Sequence, residues 1–443
     1  MTVTGIGKYG GEKELTFTIE KAVQTITASD LTLPYPESGK IMVSGNQGQL
    51  SYMSSDISVA EVDTSGNVTA KKVDTATITI TAAETQNYKK TEKEITVTVV
   101  KGTQPITASD LSLTYPNSGQ ITVSGNKGSL TYKSSDTSVA TVDSAGKVTA
   151  KSGGTAKITI TAAETAQYNA ASTTITVNVA KAAQSITAKA SATVVFVGQT
   201  MSVSVTGAKG ATSFKSSDTS IASVTSAGKV TAKNTGTVEI TATSAATAQY
   251  NAASKRVTIK VVPAVTSSLT AANQVTGIKL AWKKVAGATG YKIYRNATLI
   301  KTITDGSTVT YTDAKANTNM SRYIYKVVAK GPAGDSTLAK TVTAYRVNRP
   351  ALSSVTNSGA SMMTAKWNTI ARVNGYQIKY SMSKSFASGN GIVSSNDRTA
   401  NSKRIGNLMK GKTYYVKVRA YKLVGNGVYW SEWSPVRTVR ISR

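Results

Sequence analysis

The chain has 443 residues, 52 Lys/Arg against 23 Asp/Glu, no histidine and no cysteine, with a formal net charge of +29 at pH 7. That length makes several domains, and the missing residue types exclude a disulfide framework, a thiolate nucleophile and any His-ligated metal. Gly, Thr, Ser, Ala and Val dominate and Tyr outnumbers Phe twenty to four, a mixture that favours strands and exposed turns over helices.

The first 21 residues, MTVTGIGKYGGEKELTFTIEK, read as the last strands of a truncated β-domain, with Met1 as an expression start inside a longer protein. Tyr9 falls where a tyrosine recurs in the units that follow. No secretory leader pattern is visible, and no run of 18 apolar residues occurs, so no stretch reads as a membrane helix.

Internal repetition is the strongest signal. YMSSDISVAEVDTSGNVTAKK from Tyr52 recurs as YKSSDTSVATVDSAGKVTAKS from Tyr132 and as FKSSDTSIASVTSAGKVTAKN from Phe214. Asp56, Asp136 and Asp218 mark spacings of 80 and 82 residues. The leading halves ITASDLTLPYPESGK and ITASDLSLTYPNSGQ also match, whereas the third copy departs. Apolar residues alternate with a period of two, which predicts short strands. Asp143 to Gly146 separates two of them: the aspartate holds backbone N–H groups and the glycine supplies a positive φ. Thr225 replaces that aspartate in the third copy, which predicts a weaker cap. Tyr88, Tyr168 and Tyr250 recur before the last strand and are expected to lay their rings on the core. A sugar-stacking role for them is the minor alternative.

The SSDxSVAxVDxxGxVTA pattern resembles the bacterial immunoglobulin-like domains of group 2. The resemblance implies three two-sheet sandwiches, at 22–101, 102–181 and 182–262. It leaves function broad, since such domains are often stalks that display a terminal adhesin or enzyme, and some are adhesive themselves. A serine–aspartate site in SSD is disfavoured, because no histidine can serve as base and the trio sits in three successive modules. Calcium needs several convergent oxygens, which Asp56 or Asp136 alone does not supply. The connecting segments VVKGTQP, NVAKAAQ and VVPAVT are short, which predicts an extended, monomeric rod.

After residue 262 the pattern changes. VTGIKLAWKKVAGATGYKIYRN from Val275 and MTAKWNTIARVNGYQIKYS from Met363 share a tryptophan, Trp282 or Trp367, followed nine residues later by Tyr291 or Tyr376. With YIYKVVAKG and YYVKVRAYK farther on, this resembles fibronectin type III. It implies two seven-strand sandwiches, at 263–346 and 347–443, with Trp282 and Trp367 in their cores. The expected fold is therefore all-β, a tandem extended array of immunoglobulin-like and fibronectin type III sandwiches.

The chain closes on YWSEWSPVRTVRISR. Alternation in Tyr414–Tyr421 puts Tyr414, Val416, Val418 and Ala420 inward, and Tyr415, Lys417, Arg419 and Tyr421 outward. Trp430 and Trp433 return on the neighbouring strand, so Arg419 and Lys417 are expected to stack on the indoles. The WSxWS form resembles the motif of cytokine-receptor fibronectin modules, with Ser431 and Ser434 as its serines and Glu432 as its variable position. Those receptors carry disulfides in the companion module and this chain has no cysteine, so kinship is disfavoured. The cluster Trp430, Trp433, Arg419, Lys417 and Tyr415 is expected to be a structural clamp. An exposed aromatic contact for glycan or protein is the alternative.

Residues 263–443 hold 28 Lys/Arg against 5 Asp/Glu, a net +23, so the basic character is C-terminal. Such a field attracts polyanions. The leading expectation is a non-catalytic, cofactor-free and metal-free stalk of a secreted or cell-wall protein of a Gram-positive bacterium, displaying a functional head. Its expected partners are a host glycan or protein, or an anionic cell-wall polymer. A specific host-binding adhesin and an accessory region of a wall or polysaccharide hydrolase are the alternatives. Specific nucleic-acid binding is not expected, because the cations are dispersed and no recognition motif appears.

Overall fold

A computed structural model describes residues 2–8 and 10–442. Met1 and Tyr9, and the expectations attached to them, lie outside the described residues. Among the described residues there is no helix. The chain divides into two units, Met1–Ala183 with Ala246–Asn251, and Gln184–Ala245 with Ala252–Arg443.

In the first unit the leading strands Thr2–Thr4 and Glu12–Glu14 form an antiparallel pair in which every residue is exposed. The first repeat then builds two sheets. One has the order Leu31–Pro34, Thr91–Val100, Asp74–Ala82, Leu50–Ser54; the other Ser38–Lys40, Asn67–Ala70, Ala60–Val62. In Asp74–Ala82 the alternation is complete: Ala76, Ile78, Ile80 and Ala82 are buried, while the threonines between them are half-buried. Burying each isoleucine contributes about 1.5–3 kcal/mol, which is why this strand takes the centre of its sheet. The second repeat reproduces the arrangement, with Ile158 and Ile160 in the equivalent places.

The second unit holds most of the third repeat and the two C-terminal modules. The third repeat departs from the others where its sequence does. Thr200–Thr206 is a seven-residue strand that pairs with both Thr187–Ala190 and Lys229–Ala232. In the first C-terminal module a three-stranded sheet with Ile278–Trp282 at its centre faces a four-stranded sheet containing Gly290–Arg295 and Arg322–Lys330. In the second, Met362–Trp367 and Gly375–Ser381 occupy the same places. The twelve-residue strand Thr413–Val424 pairs with Gly427–Trp430 at one end and Arg437–Arg440 at the other.

Trp282 and Trp367 are 5% and 3% exposed, each with its ring against the tyrosine nine residues on, at 5.2 and 5.3 Å. Neither indole N–H has a hydrogen-bond partner among the described residues. The tyrosine hydroxyls are used: Tyr291 Oη accepts from Val285 N–H and Tyr376 Oη from Ile370 N–H.

Candidate functional site

The SSD triplets form turns held by their own serine and aspartate side chains. Ser58 donates from its backbone N–H and its hydroxyl to Asp56 Oδ1 at 2.8 and 2.6 Å, and Ser138 and Ser220 do the same to Asp136 and Asp218. The hydroxyl bond first, then the backbone one, holds each carboxyl below its ordinary value. Ser55, Ser135 and Ser217 accept N–H bonds from the facing strand at 2.9, 2.9 and 3.0 Å. A serine whose lone pairs tie down a neighbouring strand is a structural group. The next turn behaves as its sequence requires: Asp143 Oδ1 accepts from both Ala145 and Lys147 N–H, whereas Thr225 Oγ1 accepts only from Lys229.

The recurring tyrosines lie elsewhere than on their own cores. Tyr168 meets Tyr35 of the preceding repeat edge-on at 5.3 Å, and Tyr250 meets Tyr115 in the same way at 5.6 Å. Val73 N–H donates to Gln167 Oε1 at 2.8 Å across the first joint. Gly153 N–H donates to Ala248 O at 2.8 Å at the second. Sequence alternation does not show this, because the contact depends on how one repeat abuts the next. The available signal was the joint recurrence of two features, the YP step in the first two repeats and the tyrosine one repeat later.

At the C terminus the chain leaves the sheet between Trp430 and Arg437, and the two serines of the motif bridge the gap. Ser431 N–H donates to Ala420 O at 2.9 Å while Ser431 Oγ accepts from Ala420 N–H at 2.9 Å. Ser434 repeats the pattern on Val418 at 2.8 and 3.0 Å. Each hydroxyl thus replaces a ladder carbonyl, with the serines 5% and 4% exposed. Spacing of three puts both indoles on the outer face. The Arg419 guanidinium lies 3.8 Å from the Trp430 ring centre and 4.4 Å from that of Trp433. Its Nε and Nη2 donate to Gln377 Oε1 at 3.0 and 2.6 Å. Lys417 Nζ stands 5.2 Å from Trp433 and 4.1 Å from Phe386. The stack therefore runs Phe386, Lys417, Trp433, Arg419, Trp430. Tyr415 shares the face but makes no ring contact, and stays half-exposed. Burial lowers the Arg419 guanidinium from its ordinary value. Of the outward residues, Tyr421 differs from expectation: it is buried, with its ring 5.1 Å from Trp430 and its hydroxyl on Asn396 Oδ1.

The same motif meets the preceding module. Asn273 Nδ2 donates to Trp430 O at 3.0 Å, Gln274 Nε2 to Glu432 Oε1 at 3.0 Å, and Tyr345 packs on Tyr429 at 4.9 Å. Behind this joint Arg346 is buried, its guanidinium donating to Asn273 Oδ1 and to the carbonyls of Gln274, Val275 and Gly277. In the sequence Arg346 is one cation among many, with nothing to mark it for burial.

Residues 37–84 and 117–164 match the intimin immunoglobulin-like domain, 182–254 the bacterial Ig-like domain of group 2, and 348–437 the fibronectin type III domain. The chain is a tandem of immunoglobulin-like and fibronectin type III β-sandwiches. Its first two repeats thus match the intimin description, where the SSD pattern led to group 2. No curated protein matches the sequence. Among solved structures, the FN1-FN3 domains of chicken CNTN1 align at 15% identity over 58% of this chain and 98% of that one, with a TM-score of 0.27. Domains 4-9 of the surface layer protein SbsC align at 13% identity over 99% and 85%, with a TM-score of 0.25. A two-domain fibronectin type III segment of chicken tenascin aligns at 17% identity over 40% and 98%, with a TM-score of 0.20.

Proposed function

We propose that these modules are a non-catalytic spacer region of an extracellular surface protein of a Gram-positive bacterium, holding a functional head away from its anchor. The observation that carries the reading is the repeated joint. Tyr35 on Tyr168 and Tyr115 on Tyr250 use the same residues one repeat apart, and a spacer needs each module fixed on its neighbour. The serines and aspartates that would have to act in catalysis are spent on turns.

Single-molecule stretching of the whole chain tests this. A mechanical spacer gives successive, separate unfolding events, each from about eighty residues whose extended length is roughly 26–29 nm at 3.3–3.6 Å per residue. One cooperative event for the whole chain would count against independent modules in series. A second reading, an adhesin, is favoured by one feature: the half-exposed Tyr415 beside unpaired cations on the last module. Saturable glycan binding that persists at 0.15 M salt supports that reading.

A further inference from the structure

The last module holds 16 Lys/Arg against 2 Asp/Glu over residues 347–443. None of the ion pairs among the described residues involves a residue beyond 335. Within this excess one arrangement is costly. Lys379 and Lys417 stand directly opposite each other in the register of Gly375–Ser381 and Thr413–Val424, and like charges so placed destabilise a sheet. Arg419 follows two residues on, on the same face. Both ammonium groups approach one ring, with Nζ of Lys379 and Lys417 at 5.8 and 4.1 Å from the centre of Phe386. Phe386 itself holds φ at 58°, a conformation a bulky side chain adopts at a cost.

Among the described residues of the module no counter-charge is at hand. Glu432 accepts from Gln274, and Asp397 holds its own turn through Thr399. Burial first, then the charges of Lys379 and Arg419, lowers the Lys417 ammonium from its ordinary value. Neither lysine ammonium has an oxygen acceptor among the described residues: the Phe386 ring meets both and the Trp433 ring meets Lys417, and neither ring carries a countercharge. On the same face lies Tyr415, directly opposite Ser381 and next to the lysine pair. Tyr415 is half-buried and makes no aromatic contact among the described residues, so its ring adds an apolar group beside two cations.

We propose that Lys379, Lys417 and Tyr415 form a binding site for an anionic glycan, with a sulfate or carboxylate bridging the two ammonium groups and a sugar ring stacked on Tyr415. An external anion supplies the counter-charge that the aromatic contacts of the two lysines do not, and the tyrosine selects a sugar over a bare polyanion. The site lies on one sheet face of one module and stands whether or not the chain acts as a spacer.

The test is binding of the full chain to heparin, with inorganic polyphosphate and a duplex DNA as competing polyanions, at 0.15 M salt. The double variant K379Q/K417Q is expected to bind heparin at least about tenfold more weakly. The variant K410Q/K412Q, with the same charge change at a turn of the same module, is expected to lose less than about twofold. Y415A is expected to weaken heparin binding about fivefold and leave polyphosphate binding unchanged. Sulfate should raise the melting temperature of the unaltered chain more than that of K379Q/K417Q, which checks the site without a polymer. Equal losses in the two lysine variants, absence of heparin binding at this salt, an equal effect of Y415A on polyphosphate, or tighter binding of DNA than of heparin would each overturn the proposal.

Discussion

Gln104 is nearly fully buried, and its amide joins four backbone groups from two loops. Its Nε2 donates to Ala163 O and Asn169 O, both at 2.8 Å, and its Oε1 accepts from Lys127 and Gly128 N–H. Gln24 does the same in the first repeat. A buried polar group with all its bonds made is close to neutral, but removing it strands its partners. Gln104→Leu, similar in size, is therefore expected to destabilise the second repeat by about 3 kcal/mol, read by denaturant unfolding. A loss below about 1 kcal/mol would show that water replaces the amide. Ser434→Ala removes the acceptor for the buried Val418 N–H and is expected to cost about 1–2 kcal/mol. At the Asp143 position, Thr225→Asp should stabilise the third repeat, since the native threonine accepts one bond where aspartate accepts two.

Strands were the legible part of this chain, and their limits show where the sequence stops speaking. Period-two alternation places Tyr414, Val416, Val418 and Ala420 inward, and all four are buried. Tyr421 has the outward parity and is buried all the same, because Trp430 folds over it from the next strand. Parity reports only the sheet's own two faces, not what a neighbour lays across one of them. The Gln24 and Gln104 clasps recur at a fixed spacing too, yet glutamine carries no hydrophobic period and so leaves no pattern. In the C-terminal cluster the tryptophans and cations could be named from the motif. The role of Ser431 and Ser434 could not, since it depends on the strand leaving the sheet between them. The stack makes its own prediction. Trp433 contacts both Arg419 and Lys417, so Trp433→Ala should lower stability by about 2 kcal/mol, from lost ring burial plus cation–π contact. An unchanged melting temperature would remove the clamp from the account and leave Trp433 as a surface contact. In the core, Trp367→Ala should cost about 3–5 kcal/mol. Trp367→Phe should cost far less, because the indole N–H it deletes has no partner to strand.

Across the whole molecule, six carboxylates that hold turns share one direction of shift. Asp56, Asp63, Asp136, Asp218, Asp305 and Asp397 are all lowered from their ordinary value, each by side-chain hydrogen bonds first. A folded-state value below the unfolded one means that the unfolded chain takes up protons first as pH falls. These turns therefore contribute their stability above the unfolded aspartate value, about 3.9, and lose it as pH falls through the lower folded values. The chain has no histidine, so no imidazole titrates between pH 5 and 8. Charge acts in the same direction. At pH 7 the chain is already at +29, and protonating its 23 acids removes the only charges that offset 52 cations. The melting temperature should thus stay level from pH 8 to about 5, then fall steeply below about 4. Added salt should restore part of the loss at pH 3, since it screens the exposed cations but cannot rebuild a turn whose aspartate is protonated. Full recovery in salt would assign the acid loss to net charge alone, and a melting temperature level down to pH 2 would show that the turn carboxylates keep the same protonation in the folded and unfolded chain.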